Sequence, residues 1–350
     1  MQMQRVFFGK KYNLPAPTDE QKHSKISRTG NAPFAKFIGN DKAVRKLQAA
    51  AYKALGTRNH MMRDLAFAVF GPSSSGKTTL VRLYADVVEL PFIEISPKSV
   101  KSLNDLFRII SSELEQQGLP LIGVDKFELP PCVIFIDEVH ALSDNIVQGL
   151  LKATEFNDSV LVTESNKIVK THRVTWAIAT TEEGQLFDAF RTRFSPVQLT
   201  YLSKSEIAKI VKLANPDLPD NVCELVAHYN RRVPRKALEF ARYMSLIRDM
   251  SGGSWEEVAQ QVASDEGIDE HGMHETYLKI LKALADGPIA KNRLGFIAGR
   301  KDEEVDKYII PWLMTETIDQ PALISVSQRG YVITDAGMKE LEKREKLFAA

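Results

Sequence analysis

The chain has few cysteines and no long apolar run, two features that would otherwise indicate a particular class of protein. It contains only 2 cysteines in 350 residues, and Cys132 and Cys223 lie far apart in the sequence and form no metal-ligand cluster. No apolar run approaches the length of a membrane span, and the first residues lack the apolar core of a signal peptide. We therefore expect a cytoplasmic protein with no membrane partner.

The charge balance is also uninformative by itself. With 46 basic and 45 acidic residues the formal net charge is +1, which argues against a polycation but permits a local basic patch. Apolar residues make up 44% and charged residues 26%, as in ordinary globular proteins. The length predicts two or three domains.

The first informative motif of the sequence is a glycine-rich loop, Gly71-Pro-Ser-Ser-Ser-Gly-Lys-Thr78. It fits the pattern G-x-x-x-x-G-K-[ST], in which backbone N–H groups surround phosphates, the lysine reaches the β/γ-phosphates and the hydroxyl binds Mg²⁺. The alternative is a surface turn, but an apolar run before the loop and helical periodicity after it favour a site for nucleotide phosphates and Mg²⁺. The candidate ligands are Gly71, Ser74, Ser75, Gly76, Lys77, Thr78 and Thr79.

A second element places two carboxylates after an apolar strand, Val133–Ile136. Asp137 is suited to hold Mg²⁺, and Glu138 is suited to act as the general base toward water. Strand ends often carry acids, so this pair is weak evidence alone. Downstream of a phosphate loop it becomes strong evidence for nucleotide hydrolysis.

Three further elements are ambiguous without context. The strand Ala177–Thr181 ends in hydroxyl residues, which suit a γ-phosphate contact or an ordinary strand end. Phe190-Arg-Thr-Arg-Phe194 holds either a solvated pair or an arginine that reaches a neighbour's γ-phosphate. Arg235, in the first turn of a helix, opposes the helix dipole unless an anion lies nearby; the alternative is a surface basic cluster.

Periodicity along the chain predicts an α/β fold with several parts. Strands and helices alternate as in a parallel sheet covered by helices, then helices alone follow, and three helices with two strands around Arg329-Gly330 come last. This last order fits a winged helix that binds DNA, or a small α+β domain that binds protein or only packs. The predicted parts are an arm (1–30), a sheet domain (31–202) with a hairpin insertion (159–169), a helical domain (203–266) and a C-terminal domain (267–350).

In this order the five elements resemble an AAA+ ATPase, and more narrowly the RuvB family of Holliday-junction branch-migration motors. The resemblance implies a P-loop sheet domain, a helical lid, a winged helix, and a ring of six subunits that moves branched or double-stranded DNA. It also implies a RuvA-like partner at the hairpin. The resemblance implies that Phe37 and Ile38 contact adenine, and that Thr181 is the first sensor, with Thr180 as the fallback. It implies that Arg193 is the arginine finger, with Arg191 as the second choice. It also implies that Arg235 is the lid sensor and that Arg329 contacts the DNA backbone.

The sequence also departs from that family. Glu182 follows the two threonines where RuvB proteins usually carry arginine, three serines occupy the phosphate loop, and the hairpin is shorter. The competing interpretations are an ATPase of the clamp-loader or initiator kind, which uses ATP as a switch on DNA, and a remodelling adaptor whose residues 267–350 bind protein.

Overall fold

A computed structural model describes residues 5–7, 10–12, 33–56, 66–121, 126–155, 158–186, 188–231, 233–317 and 319–348. The chain divides into two compact units, one of residues 1–71 and 76–199, the other of residues 72–75 and 200–350. The predicted arm, 1–30, lies outside the described residues except for two short strands. These strands, β1 (Arg5–Phe7) and β2 (Lys10–Tyr12), pair antiparallel.

The first unit contains a five-stranded parallel sheet with the order β10-β3-β9-β6-β4, which confirms the predicted α/β class. Its helices and strands after β2 are α1 (Asp41–Gly56), β3 (Phe67–Phe70), α2 (Lys77–Val87), β4 (Phe92–Ile95), α3 (Leu103–Gln116), β5 (Lys126–Glu128), β6 (Cys132–Ile136), α4 (Asp144–Ala153), β7 (Val160–Val162), β8 (Ile168–Lys170), β9 (Val174–Thr180), α5 (Asp188–Arg191) and β10 (Ser195–Gln198).

The central strands β6 and β9 are buried at every position, because hydrophobic cores lie on both faces of the sheet. Successive residues of β6 face opposite cores: Ile134 and Ile136 belong to one, and Val133 and Phe135 to the other. Side chains on both faces of the sheet therefore pack into a hydrophobic core. This packing fixes the strands, and with them the loops that follow their carboxyl ends.

A smaller sheet contains the segment predicted as a hairpin. Strand β8 pairs antiparallel with β7 and parallel with β5, a strand that the sequence analysis did not predict. The turn of the hairpin is bound to the first turn of α3. The Glu164 carboxylate accepts hydrogen bonds from the backbone N–H groups of Leu103 and Asn104 at 2.9 and 2.8 Å, as anions do at helix N-termini.

The second unit begins with four helices: α6 (Lys204–Ala214), α7 (Asp220–Tyr229), α8 (Pro234–Ser251) and α9 (Trp255–Asp265). Local sequence sets their ends. Ser203 with Glu206 and Ser254 with Glu257 form reciprocal capping boxes at α6 and α9. Pro234 stands at the first position of α8, where its missing N–H costs no intrahelical bond.

The rest of the second unit has the element order of a winged helix: α10 (Glu275–Ala285), α11 (Lys291–Ala298), α12 (Asp302–Glu304), a π-helical turn (Val305–Ile309), α13 (Ile310–Met314), β11 (Ile324–Ser327), β12 (Gly330–Ile333) and α14 (Asp335–Phe348). Ile289 adds a third pairing to the hairpin through two backbone hydrogen bonds with Tyr331, of 3.0 and 2.9 Å. A Cβ atom at Gly330 would collide with the Ile289 carbonyl, so this approach requires glycine. Helix α14 was not predicted.

Four charged side chains, which we name the Arg231 cluster, connect distant parts of the second unit. Arg231 donates to Glu340 at 3.2 Å, and Arg344 donates to Asp269 at 2.5 Å. Three of the four side chains are at most 16% exposed, and Asp269 is 26% exposed. The cluster therefore joins the end of α7, the segment before α10, and α14.

Candidate nucleotide-binding and catalytic site

The predicted phosphate loop connects β3 to α2, as expected of a loop that presents a helix N-terminus to an anion. Two of its glycines are required by close contacts. A Cβ at Gly71 would lie 2.7 Å from the Leu199 carbonyl oxygen, and a Cβ at Gly76 would lie 3.0 Å from the Phe37 ring. Gly76 also has φ +94°, a conformation that side chains disfavour. Phe37, a predicted adenine contact, thus lies against the loop, with the half-buried Ile38 next in the chain.

Lys77 is the buried cation of this site, with 6% of its surface exposed. Its Nζ donates to the Gly71 carbonyl at 3.0 Å and lies 4.0 Å from Glu138 Oε1. The ammonium is therefore held beside the loop whose N–H groups would surround phosphate. Thr79 follows in the exposed part of α2's first turn.

The serines of the loop add a further sign of an anion site. Ser74 has φ +64°, a strained conformation for a residue with a side chain. The Ser75 hydroxyl is buried and has no hydrogen-bond partner among the described residues. A buried hydroxyl without a partner is costly, and a phosphate oxygen would satisfy it.

The two predicted Mg²⁺ ligands meet directly. Thr78 Oγ1 donates to Asp137 Oδ2 at 3.4 Å. Burial, followed by the negative charge of Glu138, raises the pKa of Asp137, so a cation at this point would relieve an unfavourable ionisation. No group of three or more His, Cys, Asp or Glu side chains in the described part of the chain could hold a metal alone. A hydroxyl and one carboxylate fit Mg²⁺, which completes its shell with water and phosphate oxygens.

Glu138 occupies a strained position at the end of the acidic strand. Its backbone is left-handed, with φ 50° and ψ 50°, which costs about 1–3 kcal/mol for a residue other than glycine. Its Oε2 accepts hydrogen bonds from both the N–H and the hydroxyl of Thr181, each at 3.0 Å. The structure thus brings Thr181, rather than Thr180, to the predicted general base.

The register of the strands explains why Thr181 lies close to Glu138. Ile136 of β6 lies beside Ile178 of β9, and Phe70 of β3 lies beside Thr180. The carboxyl ends of three neighbouring strands therefore reach the same edge of the sheet, where open α/β sheets bind ligands.

Two residues near Glu138 were not among the predicted site residues. His140 Nδ1 lies 2.7 Å from Thr180 Oγ1 and 3.3 Å from Glu138 Oε2, and its Nε2 lies 3.5 Å from Glu182 Oε1. Glu182 directly follows Thr181 and His140 lies two residues after Glu138, so proximity in the sequence could have suggested them. Their mutual contact depends on the β6–β9 register, which no local pattern specifies.

The predicted arginines lie at different places. Arg191 pairs with Asp188 at 3.0 Å within α5, and Arg193, just after α5, pairs with Glu155 at 3.9 Å. In the second unit, the exposed Arg235 lies in the first turn of α8. Arg329 is exposed at the turn between β11 and β12.

Comparison with known proteins agrees with this geometry. Residues 67–200 match the family model described as the ATPase family associated with various cellular activities, AAA. The chain is 27% identical over 325 residues to the Holliday junction branch migration complex subunit RuvB of Rickettsia africae, with 87% of each chain covered. The corresponding subunit of Thermotoga maritima is 25% identical over 325 residues, with 87% and 90% covered.

The fold is also similar to a solved structure. The Thermotoga maritima RuvB Holliday junction branch migration motor superposes with a TM-score of 0.67 at 24% identity, covering 87% of this chain and 95% of that one. Among the described residues, no helix is long and apolar enough to cross a membrane.

Proposed function

We propose that this chain, an AAA ATPase similar to RuvB over 87% of its length, is an ATP-driven ring motor that moves branched DNA in the cytoplasm. The observation that carries the proposal is the meeting of Lys77, Thr78, Asp137, Glu138 and Thr181 at one edge of the sheet. These residues supply a phosphate-binding cation, an Mg²⁺ site and a positioned carboxylate, which together suit phosphoryl transfer to water.

Each residue has a distinct task in this reaction. Glu138 accepts the proton of the attacking water, and Thr181 holds that carboxylate through two hydrogen bonds. Lys77 offsets negative charge on the phosphates. Thr78 and Asp137 would hold Mg²⁺, which supplies further neutralisation of the transferred phosphoryl group when bound.

We assign the remaining nucleotide contacts to the phosphate loop, to two residues beside the adenine ring and to an arginine of a second subunit. We assign the adenine contacts to Phe37 and Ile38; the position of the Phe37 ring against the loop at Gly76 supports this assignment. Arg193 follows α5 and its side chain is partly exposed, and we assign it to the site of the adjacent subunit in a ring of six. Arg235 acts as the lid sensor.

DNA is engaged through the winged-helix segment, residues 267–350. Arg329 projects from the exposed wing turn and suits a contact with the DNA backbone. Such contacts position a protein without reading sequence, as a motor that moves along any junction requires.

The hairpin β7–β8 is the proposed docking element for a RuvA-like partner. Val162 and Ile168 lie opposite each other in the register and are 37% and 39% exposed. Because the turn itself is bound to α3 through Glu164, this apolar pair on the sheet face, rather than the turn, is the available docking surface.

Replacement of Glu138 by glutamine tests the hydrolytic assignment. The amide cannot accept a proton from water, so steady-state turnover should fall at least about 100-fold, while affinity for a fluorescent ATP analogue stays near that of the unaltered protein. Glu183→Gln is the matched control, because Glu183 pairs with Gln198 at 2.9 Å. Turnover near normal in Glu138→Gln would refute the general-base role.

A strand-movement assay separates the motor from the rival, a loader or initiator ATPase. The expected result is ATP-dependent separation of a synthetic four-way junction into two duplexes by the full chain with a junction-binding partner, and none by Glu138→Gln. ATP hydrolysis without movement of the strands would favour the loader.

A further inference from the structure

The charges of this chain are distributed unevenly along the sequence. Residues 1–65 contain 13 basic and 4 acidic side chains, a net charge of +9, so the remaining residues carry a net −8 within the total of +1. Asymmetry of this kind is typical of proteins that bind nucleic acids through one part of the chain. It indicates that the N-terminal part, rather than the chain as a whole, attracts polyanions.

The winged-helix segment does not supply this attraction. Residues 267–350 contain 12 basic and 14 acidic side chains, a net charge of −2. In a helix-turn-helix the second helix approaches the DNA, but the corresponding segment here begins with three consecutive acids, Asp302–Glu304. The proposed contact at Arg329 is therefore backed by little positive charge, and a second source of attraction for DNA is expected.

Helix α1 presents basic residues of the N-terminal part on one side. Successive residues of an α-helix are about 100° apart around its axis, so the basic residues of α1 fall within one sector about 100° wide. All of them are exposed: Lys42, Arg45, Lys46 and Lys53. We name them the α1 basic face. The opposite side of the helix packs into a hydrophobic core of the sheet through Ala43, Val44, Leu47 and Ala51, which fixes the direction in which the basic face points.

Like charges lie side by side on this face. Lys42 and Lys46 are four residues apart and Lys42 and Arg45 are three apart, spacings at which like charges on a helix repel each other. Among the residues that the structure describes, no carboxylate lies within ion-pair distance of Lys42 or Arg45. A helix face that is only solvated typically mixes both signs, whereas a bound polyanion would remove the repulsion on this one.

Duplex DNA fits the α1 basic face better than a membrane does. An interfacial helix inserts an apolar side into the lipid, but the apolar side of α1 is already buried in the core. From its first to its last residue the face extends about 16 Å along the helix axis, a length over which B-DNA carries about ten phosphates. Tyr52, which is 52% exposed beside the face, adds a hydroxyl that suits a phosphate oxygen.

We propose that the α1 basic face binds the phosphate backbone of duplex DNA and gives the motor a second DNA contact, in addition to Arg329. The inference rests on the proposed function, because it assigns a further contact to the same substrate. Phosphate contacts do not depend on base sequence, so the face can hold a duplex at any position along it. The contact also gives a role to basic residues that take no part in the nucleotide site.

A double substitution on this face measures the contact through its salt dependence. Lys42→Gln with Arg45→Gln removes two phosphate contacts, so the slope of log affinity against log salt should become shallower by about 1.8. The loss of affinity should then be about tenfold larger at about 50 mM salt than at about 200 mM. The measurement is fluorescence anisotropy of a labelled duplex of mixed sequence, with a non-hydrolysable ATP analogue and Mg²⁺ present. An unchanged slope would overturn the proposal.

Two further variants test whether the effect is local and whether it depends on charge. Lys279→Gln with Lys282→Gln removes the same two charges from α10, where Lys279 already pairs with Glu275 at 3.4 Å, and should change the slope little. An equal change of slope in both double variants would reflect net charge alone and would contradict a contact at α1. Arg45→Lys keeps the charge and should keep the slope, and a shallower slope in this variant would count against a phosphate contact.

Readouts without DNA separate this contact from folding and from assembly. Because the Lys42 and Arg45 side chains are exposed, the melting temperature and the ATP turnover without DNA should match those of the unaltered protein. A melting temperature that falls in step with DNA affinity would refute the proposal. A smaller ATP-dependent assembly with normal DNA affinity would assign the face to a second copy of the chain, and would refute it as well.

The behaviour of the unaltered protein distinguishes the two levels of the argument. If it binds no duplex at low salt, the proposed function fails. If it binds duplex and Arg329→Ala weakens that binding, but Lys42→Gln with Arg45→Gln leaves affinity and slope unchanged, only the inference about α1 fails.

Discussion

Replacement of Glu340 by glutamine should destabilise the second unit by about 3 kcal/mol. The Glu340 side chain is 10% exposed and lies between Arg231, at 3.2 Å, and Arg344, whose Nη1 is 3.9 Å away. These arginine side chains are 16% and 8% exposed. Neutralising the carboxylate leaves the buried charge of Arg231 without its carboxylate partner, whereas Arg344 stays paired with Asp269; an uncompensated buried charge costs far more than the loss of a surface pair.

The matched control is the exposed pair Glu275 and Lys279, which lies 3.4 Å apart on α10 with both side chains more than half exposed. Glu275→Gln should cost no more than about 0.5 kcal/mol. The measurement is urea unfolding followed by tryptophan fluorescence in a Trp176→Phe background, which removes the signal from the first unit. Trp312, whose Nε1 donates to the Arg231 carbonyl at 3.0 Å, then reports on the cluster itself.

With a urea slope of about 2 kcal/mol per molar, the midpoint for Glu340→Gln should fall by about 1.5 M. A shift no larger than that of Glu275→Gln would refute the structural role of the cluster. Arg231→Met combined with Glu340→Gln should recover part of the loss, because the double variant removes an unpaired buried charge.

Acid should weaken the same cluster. Burial opposes ionisation of Glu340, but the hydrogen bond from Lys343 and the charge of Arg231 hold its pKa below the usual range. Since the folded pKa is lower than the unfolded one, this stability is fully present above the unfolded value of about 4.3 and is lost as pH falls through the folded value. The difference in stability between the unaltered protein and Glu340→Gln should therefore shrink below about pH 4; a constant difference would contradict this reading.

Three further changes test the packing of the phosphate loop, the proposed shared site and the proposed DNA contact. Gly71→Ala introduces a Cβ 2.7 Å from a backbone carbonyl and should destabilise the first unit by about 1–3 kcal/mol, measured by urea unfolding. Arg193→Ala subunits should be inactive alone but should restore turnover when mixed with inactive Lys77→Ala subunits; no recovery would count against a shared site. Arg329→Ala should weaken DNA binding equally across sequences and reduce the slope of affinity against salt by about 1; an unchanged slope would remove Arg329 from the DNA interface.

Much of the site could be predicted because its residues lie at the ends of strands or within one loop. Lys77 and Thr78 belong to a contiguous motif, and the acidic pair directly follows a run of apolar residues. In a parallel sheet all strands end at one edge, so the approach of Thr78 to Asp137 follows from topology once β3 and β6 are assigned. Such features need no knowledge of side-chain packing.

The parts that escaped prediction depend on contacts between residues distant in sequence. The pairing of His140 with Glu182 requires the register of β6 on β9, and the pairing of Arg231 with Glu340 spans 109 residues. Strand β5 is 3 residues long, too short for a recognisable alternation. Each of these contacts is determined by tertiary packing, which the secondary-structure propensity of the local sequence does not encode.

The arrangement around Glu138 also indicates how the proposed general base would keep its position when a phosphate binds. Lys77 lies 4.0 Å from the Glu138 carboxylate and 3.0 Å from the Gly71 carbonyl, and phosphate oxygens would compete for the same ammonium group. If Lys77 were the main anchor of Glu138, nucleotide binding would release the base at the moment it is needed. Thr181 instead holds the carboxylate by two hydrogen bonds from the end of a buried strand, so Lys77 can turn to the phosphate while Glu138 keeps its position.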